Sequence, residues 1–315
     1  MDQSVATALV PVVLLIGLGV LAARVRWIGA TASRDLSNLV FFLLLPALLF
    51  RSMAAVDIAH LSLAPVVPFF AAAGLIFIGM LLVRGMTPRA AVLAMSAIYG
   101  NVVMIGIPLV ALLHGPAGSA VLFTLISVHA LVLLTTATVV IELASARAAP
   151  SGEAPRSIGT TVVQAIARAI WHPVPLPIIV GLLFGQTGLA LPEVLDSALK
   201  LLAQAFGPVA LLLVGVTLAH TAVGSQWRGA LALSTLKNLV MPIAVLLIGQ
   251  GLGVASMPLS VMVTAAAMPS GANVFLFAQR YQVAQALSTA TVAVSTVLAL
   301  GTVSAVLTLL KILGL

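Results

Sequence analysis

The sequence predicts an all-α polytopic membrane protein with ten transmembrane helices. The 315-residue chain is 62% hydrophobic and 7% charged, with a mean hydropathy of +1.26, whereas a soluble globular domain has about 25% charged residues. The apolar stretches exceed the roughly 10 residues of a barrel strand and lack strict alternation, so the spans are predicted to be helices. This composition excludes soluble enzymes, nucleic-acid binders and, with no cysteine, disulfide scaffolds.

Ten apolar windows follow one another along the chain. At about 20 residues for each span, they leave room only for short loops and one linker. The polar stretch Ser145 to Ser157 has the turn formers and charges of that linker. The apolar positions 158, 162, 166 and 170 after it fit either a helix lying in the membrane interface or the start of a long sixth helix. The predicted spans lie near 4–22, 36–53, 65–83, 89–113, 117–141, 173–190, 197–219, 230–250, 259–279 and 286–310.

The linker divides the chain into a first five-helix repeat at 1–144, a cytoplasmic linker at 145–171 and a second five-helix repeat at 172–315. Because five is odd, the second half enters the membrane from the opposite side, so any similarity between the halves is an inverted repeat. Pro46 and Pro208 occupy corresponding places in the second and seventh spans. The fourth and ninth spans each start near a proline and reach a Gly/Asn segment.

Basic residues predict how the chain is oriented. With the N-terminus outside, inside loops hold ten basic residues, whereas outside loops and ends hold three. By the positive-inside rule, both termini are predicted to lie outside and the linker in the cytoplasm. The predicted localisation is the cell inner membrane. The net charge of +7 is therefore mainly a topology signal, and no nucleic-acid partner is expected. The inside residues are Arg24, Arg26, Arg34, Arg84, Arg89, Arg147, Arg156, Arg168, Arg228 and Arg280; the outside residues are Arg51, Lys200 and Lys311.

Two segments place glycine, proline and asparagine at mid-membrane depth, Tyr99 to Pro108 and Met268 to Asn273. Proline removes a helix N–H and clashes with a preceding carbonyl, so continuous helices are not expected there. Paired interrupted spans in inverted halves indicate a transport site, and the helix N-termini they create favour anions. The predicted substrate-binding residues are Gly100, Asn101, Gly106, Pro108, Ser270, Gly271 and Asn273, and the predicted helix-breaking residues are Pro108 and Pro269.

These segments resemble the auxin efflux carrier family, which includes plant auxin exporters and bacterial organic-acid carriers such as malonate transporters. Residues 101–109, residues 268–281 and the segments around Pro46 and Pro208 carry the resemblance, which covers essentially the whole chain. The ninth-span sequence differs from that of the plant carriers at the crossing. The long cytosolic loop of the plant exporters is also missing, so its regulation by phosphorylation does not carry over.

The resemblance implies two inverted five-helix repeats with broken fourth and ninth helices that cross at the substrate, as in bile-acid symporters and sodium–proton antiporters. It also implies a scaffold of the first, second, sixth and seventh helices and a moving transport domain of the others. By this resemblance, Asn101 contacts the substrate carboxylate, and Pro108 is the proline of the same motif.

Several of these residues have a structural alternative. Asn101 and Asn273 could instead join helices by amide hydrogen bonds, and the glycines could serve close packing. Lys237, inside a span, either reaches toward the inner interface or lines the cavity as an electrostatic element. His129, inside the fifth span, is either a neutral histidine bonded to a carbonyl or part of a proton relay.

The favoured function is a secondary transporter of small organic anions, such as malonate, malate or auxin-like weak acids, that works by alternating access. A sodium- or proton-coupled carrier of larger apolar anions is the alternative, and a passive channel is a weaker one. The sequence lacks the common hydrolase and metalloprotease motifs, so no enzymatic activity is expected. No cofactor and no metal are predicted. The expected partners are the organic acid and the lipid bilayer, with a homodimer left open.

Overall fold

The computed structural model describes residues 3–54, 63–148, 175–220, 224–271 and 273–315, in which every regular element is helical. Most of the predicted linker, including the interfacial helix suggested within it, lies outside the described residues. The α-helices are α1 (Gln3–Arg24), α2 (Ala30–Leu39), α3 (Leu45–Ala54), α4 (Val67–Arg84), α5 (Pro88–Ile98), α6 (Ile107–Ala148), α7 (Pro175–Gln186), α8 (Glu193–Ala219), α9 (Trp227–Thr235), α10 (Met241–Gly251), α11 (Ser256–Ala267), α12 (Asn273–Arg280) and α13 (Gln285–Ile312).

Six described helical stretches are long and apolar enough to cross a membrane. This confirms the polytopic membrane class, while the ten-helix inverted repeat stays a prediction. The six are Thr31–Ala54, Ala64–Arg84, Val102–Ile141, Glu193–Ala219, Gly224–Gly251 and Gln285–Ile312; the shorter apolar helices are Val13–Arg24, Pro88–Ile98, Leu176–Gln186 and Ser256–Ala267. Within α6, Gly115 has a non-helical φ of 61° and ψ of −154°. It therefore marks the boundary expected between the fourth and fifth spans.

Within the described residues, three π-helical turns precede prolines in the spanning helices. The turns are Val40–Leu44, Val102–Gly106 and Leu236–Val240. In each case one residue separates the turn from a proline, Pro46, Pro108 or Pro242. A proline has no N–H to donate and its ring clashes with the carbonyl four residues earlier, so a wider turn lets the helix continue past it.

The described residues form two compact units, each drawn from both halves of the chain. The first unit takes residues from Met1–Pro65, Val102–Ser127 and Trp171–Thr221; the second takes them from Val66–Asn101, Val128–Ile170 and Ala222–Leu315. This division differs in kind from the predicted repeats, because it groups residues by contact and not by order in the chain.

In the first unit, α1 packs on α8 through a reciprocal pair of glycines. A Cβ added to Gly19 would overlap the carbonyl oxygen of Leu212, and one added to Gly215 would overlap that of Ile16. The two backbones therefore touch directly, as small residues allow between membrane helices. The side chain of Arg51 in α3 also binds Asp196 at the start of α8, at 2.7 Å and 3.2 Å.

In the second unit, α5, α9 and α13 share an apolar core. Each helix contributes a pair of buried side chains to it. The pairs are Leu93 and Ala97, Ala230 and Leu233, and Leu287 and Ala290. This packing brings the end of α5 and the polar face of α13 into one region of the unit.

Candidate functional site

The second unit contains two short interruptions of its helices, which we call the paired breaks: residues 99–101 and 268–271. The helix α5 ends at Ile98, and Tyr99 is extended at φ −79° and ψ 106°. The helix α11 ends at Ala267, and Met268 is extended at φ −60° and ψ 144°. Because Met268 precedes Pro269, the proline ring itself disfavours a helical conformation there.

The backbones of the paired breaks bond to each other. Gly100 and Ser270 form an isolated antiparallel bridge. The N–H of Asn101 donates to the carbonyl of Pro269 at 2.7 Å, and the N–H of Gly271 donates to that of Tyr99 at 2.9 Å. Each break thus satisfies polar backbone groups of the other, which lipid could not do.

Close approach at the paired breaks depends on two glycines. A Cβ on Gly271 would lie 3.1 Å from the Tyr99 ring and 3.2 Å from the carbonyl oxygen of Gly100. A Cβ on Gly100 would lie 3.3 Å from Lys237 Nζ and 3.4 Å from the carbonyl oxygen of Ala265. The structural alternative given for these glycines, close packing, therefore applies at the interruptions, and their contact with a substrate stays a prediction.

A serine hydroxyl and a serine backbone carbonyl from two other helices fix the second break. The N–H of Ser270 donates to Ser295 Oγ at 3.0 Å, and Ser270 Oγ donates to the carbonyl of Ser96 at 2.7 Å. Ser96 Oγ is in turn 3.4 Å from Ser288 Oγ. All four serines are fully buried.

These supporting serines are not among the predicted site residues, although the sequence carries a signal for them. In α13, residues 288, 291, 295 and 296 are serine or threonine at helical spacing, and all of them are buried. A polar stripe of this kind on a spanning helix indicates a face turned toward other helices.

The first break also meets an asparagine and a histidine. Asn273 Nδ2 donates to Tyr99 Oη at 3.0 Å, so this predicted substrate ligand already bonds within the unit. The His129 ring lies 4.5 Å from the Tyr99 ring and 5.5 Å from the Phe69 ring, between centroids. Its Nε2 is buried without a hydrogen-bond partner among the described residues.

Lys237 is fully buried in the second unit, at 0% exposure. Its Nζ donates to the carbonyl of Ala266 at 2.5 Å, in the last turn of α11. The suggestion that this lysine reaches toward the interface is therefore wrong. The neighbouring Asn238 is equally buried and donates through Nδ2 to the carbonyl of Ser295 at 2.8 Å.

The remaining predicted residues occupy different places. Asn101 is half-buried at the end of the first break, immediately before the π-turn that begins at Val102. Gly106 and Pro108 belong to the first unit, and Pro108 lies 3.8 Å from a Cβ built on Gly207. The interruption lies upstream of Pro108, and α6 runs through that proline, so Pro108 does not break the helix as predicted. The preceding π-turn accommodates it.

The chemistry of the paired breaks is that of neutral donors, one ammonium and no carboxylate. No Asp or Glu occurs between residues 58 and 141 or between 197 and 315. Four buried side-chain atoms of the second unit have no partner among the described residues: His129 Nε2, Ser234 Oγ, Asn238 Oδ1 and Thr264 Oγ1. Buried polar atoms of this kind are normally bonded to water or a ligand. Spanning helices with a polar, interrupted interior are typical of membrane transport proteins.

Comparison with known proteins agrees with this class. The family described as "Membrane transport protein" matches residues 4–307, so the chain belongs to this family, the auxin efflux carrier family. It is 27% identical over 305 residues to the "Putative malonate transporter" of Rhizobium meliloti (strain 1021), covering 94% of this chain and 93% of that protein. It is also 27% identical over 296 residues to the "Uncharacterized transporter YfdV" of Escherichia coli (strain K12), covering 91% of each chain.

Proposed function

We propose that the protein is a secondary carrier of small organic anions, such as malonate, malate or auxin-like weak acids, and that it works by alternating access at the paired breaks. The observation that carries this proposal is a buried polar site with amides, hydroxyls and a lysine but no acidic residue in the segments that build it. A carboxylate substrate would meet hydrogen-bond donors there and no repelling charge. The similarity to a relative named for malonate supports this substrate class.

Asn101 and Asn273 are the proposed polar contacts of the substrate. Asn101 immediately precedes the helical path that starts at Val102, and Asn273 is the first residue of α12. The first N–H groups of a helix have no intrahelical acceptor and carry a partial positive charge, which favours an anion beside them. Ser270, Gly100 and Gly271 would shape the backbone around the substrate. Gly106 and Pro108, which follow Asn101 in the same sequence motif, are further proposed substrate residues.

In the proposed arrangement, ten helices form two inverted repeats, with both termini outside an inner membrane and the linker in the cytoplasm. A scaffold and a moving domain would alternate the access of the site, and a homodimer is the assembly to test. A negative interior drives each unit of negative charge outward with about 2.3 kcal/mol per 100 mV. Export of an anion by such a carrier therefore needs no coupling ion.

A proton-coupled carrier is the second candidate. The buried Nε2 of His129, which has no hydrogen-bond partner among the described residues and lies beside Tyr99, favours it, because a neutral imidazole offers one ring nitrogen as a proton acceptor. Coupling to protons would allow import of the anion against the membrane potential. The same flux measurements separate the two candidates.

The test is uptake of labelled malonate, malate, lactate and an aromatic acid in proteoliposomes, with membrane potential, proton gradient and sodium gradient imposed one at a time. We expect potential alone to drive the movement of at least one acid. Asn101→Ala should abolish this flux, whereas Asn38→Ala, which changes an exposed asparagine of α2, should not. Wild-type flux that requires a proton gradient would favour the second candidate. Equal flux in Asn101→Ala and wild type would refute the site.

A further inference from the structure

The buried ammonium of Lys237 lies at the end of a helix whose carbonyl groups have lost their normal partners. In a continuous helix, the carbonyl of Ala265 would accept from residue 269 and that of Ala266 from residue 270. Residue 269 is a proline without an N–H, and the carbonyl of Ala265 accepts from the N–H of Met268 at 3.3 Å. The N–H of Ser270 donates to Ser295 Oγ instead of to the carbonyl of Ala266. Lys237 Nζ donates to the carbonyl of Ala266 in its place.

The surroundings of this ammonium favour a single positive charge. The end of α11 presents carbonyl oxygens, which carry a partial negative charge at a helix C-terminus. Nζ also lies 3.3 Å from the position of a Cβ on Gly100, so it is packed against the first break as well. The segments 58–141 and 197–315 contain no carboxylate that could serve as a fixed counter-charge. Carbonyl oxygens without a carboxylate are ligands suited to a single positive charge.

We propose that Lys237 is a tethered monovalent cation that occupies the place an exchangeable sodium or potassium ion would otherwise take at the paired breaks. The lysine neutralises the end of α11 and holds it beside Gly100. Because the cation is covalently attached, it is not transported. The carrier therefore moves its anion without dependence on sodium or potassium, an expectation that rests on the proposed function.

The test deletes the Lys237 ammonium by mutation and then supplies a free cation to the variant. Lys237→Ala leaves the Cβ and deletes a group equivalent to propylammonium. We measure the thermal midpoint of purified, monodisperse protein and malonate flux in proteoliposomes, with choline, sodium, potassium or propylammonium as the cation. Uncharged 1-propanol controls for filling the space without the charge, and Lys200→Ala, an exposed lysine of α8, is the matched control variant.

We expect wild type and Lys200→Ala to respond equally to all the cations. In Lys237→Ala, flux in choline should fall by about tenfold or more, because hydrogen bonds of a charged donor are the strong ones. Propylammonium, or a small metal cation, should raise both the thermal midpoint and the flux of this variant. 1-Propanol should raise neither.

Two results would overturn the proposal: flux and midpoint of Lys237→Ala equal to wild type, or a loss that none of the cations reverses in folded protein. If Lys237→Ala does not fold, Lys237→Met decides, because it fills the space without a charge. A Met variant as stable and active as wild type would show that the ammonium is not needed. If wild type moves none of the acids, the proposed function fails. The cation dependence of the thermal midpoint still decides the role of Lys237.

Discussion

Ser295→Ala should destabilise the protein by removing one acceptor from the second break. The hydroxyl of Ser295 is the acceptor of the Ser270 N–H at 3.0 Å, and both residues are at 0% exposure. Water cannot replace the lost acceptor at a buried position, and an unsatisfied buried donor costs about 1–3 kcal/mol. The bond from Ser295 Oγ to the carbonyl of Val292 lies within its own helix, so its loss adds little.

The expected loss is therefore about 2 kcal/mol, which corresponds to roughly 4–8 °C in the thermal midpoint at about 2–4 °C per kcal/mol. The assay is thermal unfolding of detergent-solubilised protein followed by size-exclusion chromatography. Ser304→Ala is the matched control. It removes a hydroxyl from the same helix, and that hydroxyl donates to the carbonyl of Leu300 one turn earlier in the helix. Alanine favours a helix slightly, so this variant should be neutral.

Equal midpoints for Ser295→Ala and Ser304→Ala would refute the reasoning, since the second break would then not depend on this serine. Ser288→Ala should give an intermediate result. Its partner Ser96 Oγ also donates to the carbonyl of Val92 and therefore keeps one bond.

Three further predictions test other parts of the molecule. Gly215→Ala should lower the thermal midpoint, because its Cβ would overlap a backbone oxygen of α1. The control Gly17→Ala should raise the midpoint slightly, because a Cβ there has nothing within 4 Å and alanine favours a helix. Equal shifts in the two variants would exclude direct backbone contact between the helices. Tyr99→Phe removes the hydroxyl that accepts a hydrogen bond from the Asn273 amide, a bond worth about 1 kcal/mol. Because this amide is then no longer held in place, the KM for the carboxylate should rise by about fivefold; an unchanged KM would show that the amide needs no orientation. Asp196→Asn should leave the thermal midpoint close to that of wild type, because the pair with Arg51 is more than a third exposed and solvent screens it; a clear drop in the midpoint would indicate a stronger role for the pair.

The membrane class, the family and the presence of both interruptions could be predicted from the sequence, because each depends on local chemistry. Pro269 disfavours a helical conformation at Met268 through contacts within two residues. The same logic failed at Pro108. The missing N–H of a proline can be accommodated in two ways: the helix is interrupted, or it widens into a π-turn before the proline. The sequence around the proline does not distinguish the two, because the outcome depends on the surrounding packing.

The partners at the candidate site could not be predicted, because they are far apart in sequence or lack a side-chain signature. Ser270 bonds the carbonyl of Ser96, which is 174 positions away. Lys237 bonds a backbone oxygen, and every residue type carries one, so no pattern marks Ala266 as the acceptor. The interaction of Asn273 with Tyr99 depends likewise on how the two interruptions align.

The π-turn at Leu236–Val240 has a consequence for comparing this chain with its relatives. Lys237 and Asn238 are consecutive and both fully buried, although consecutive residues of an α-helix point about 100° apart. A π-turn is equivalent to one residue inserted into an α-helix. A relative that lacks this turn would therefore align with a single-residue gap here and keep the same lipid-facing residues beyond it. Such a gap in an alignment would therefore indicate that the relative does not bury both residues at the positions of Lys237 and Asn238, rather than an alignment error.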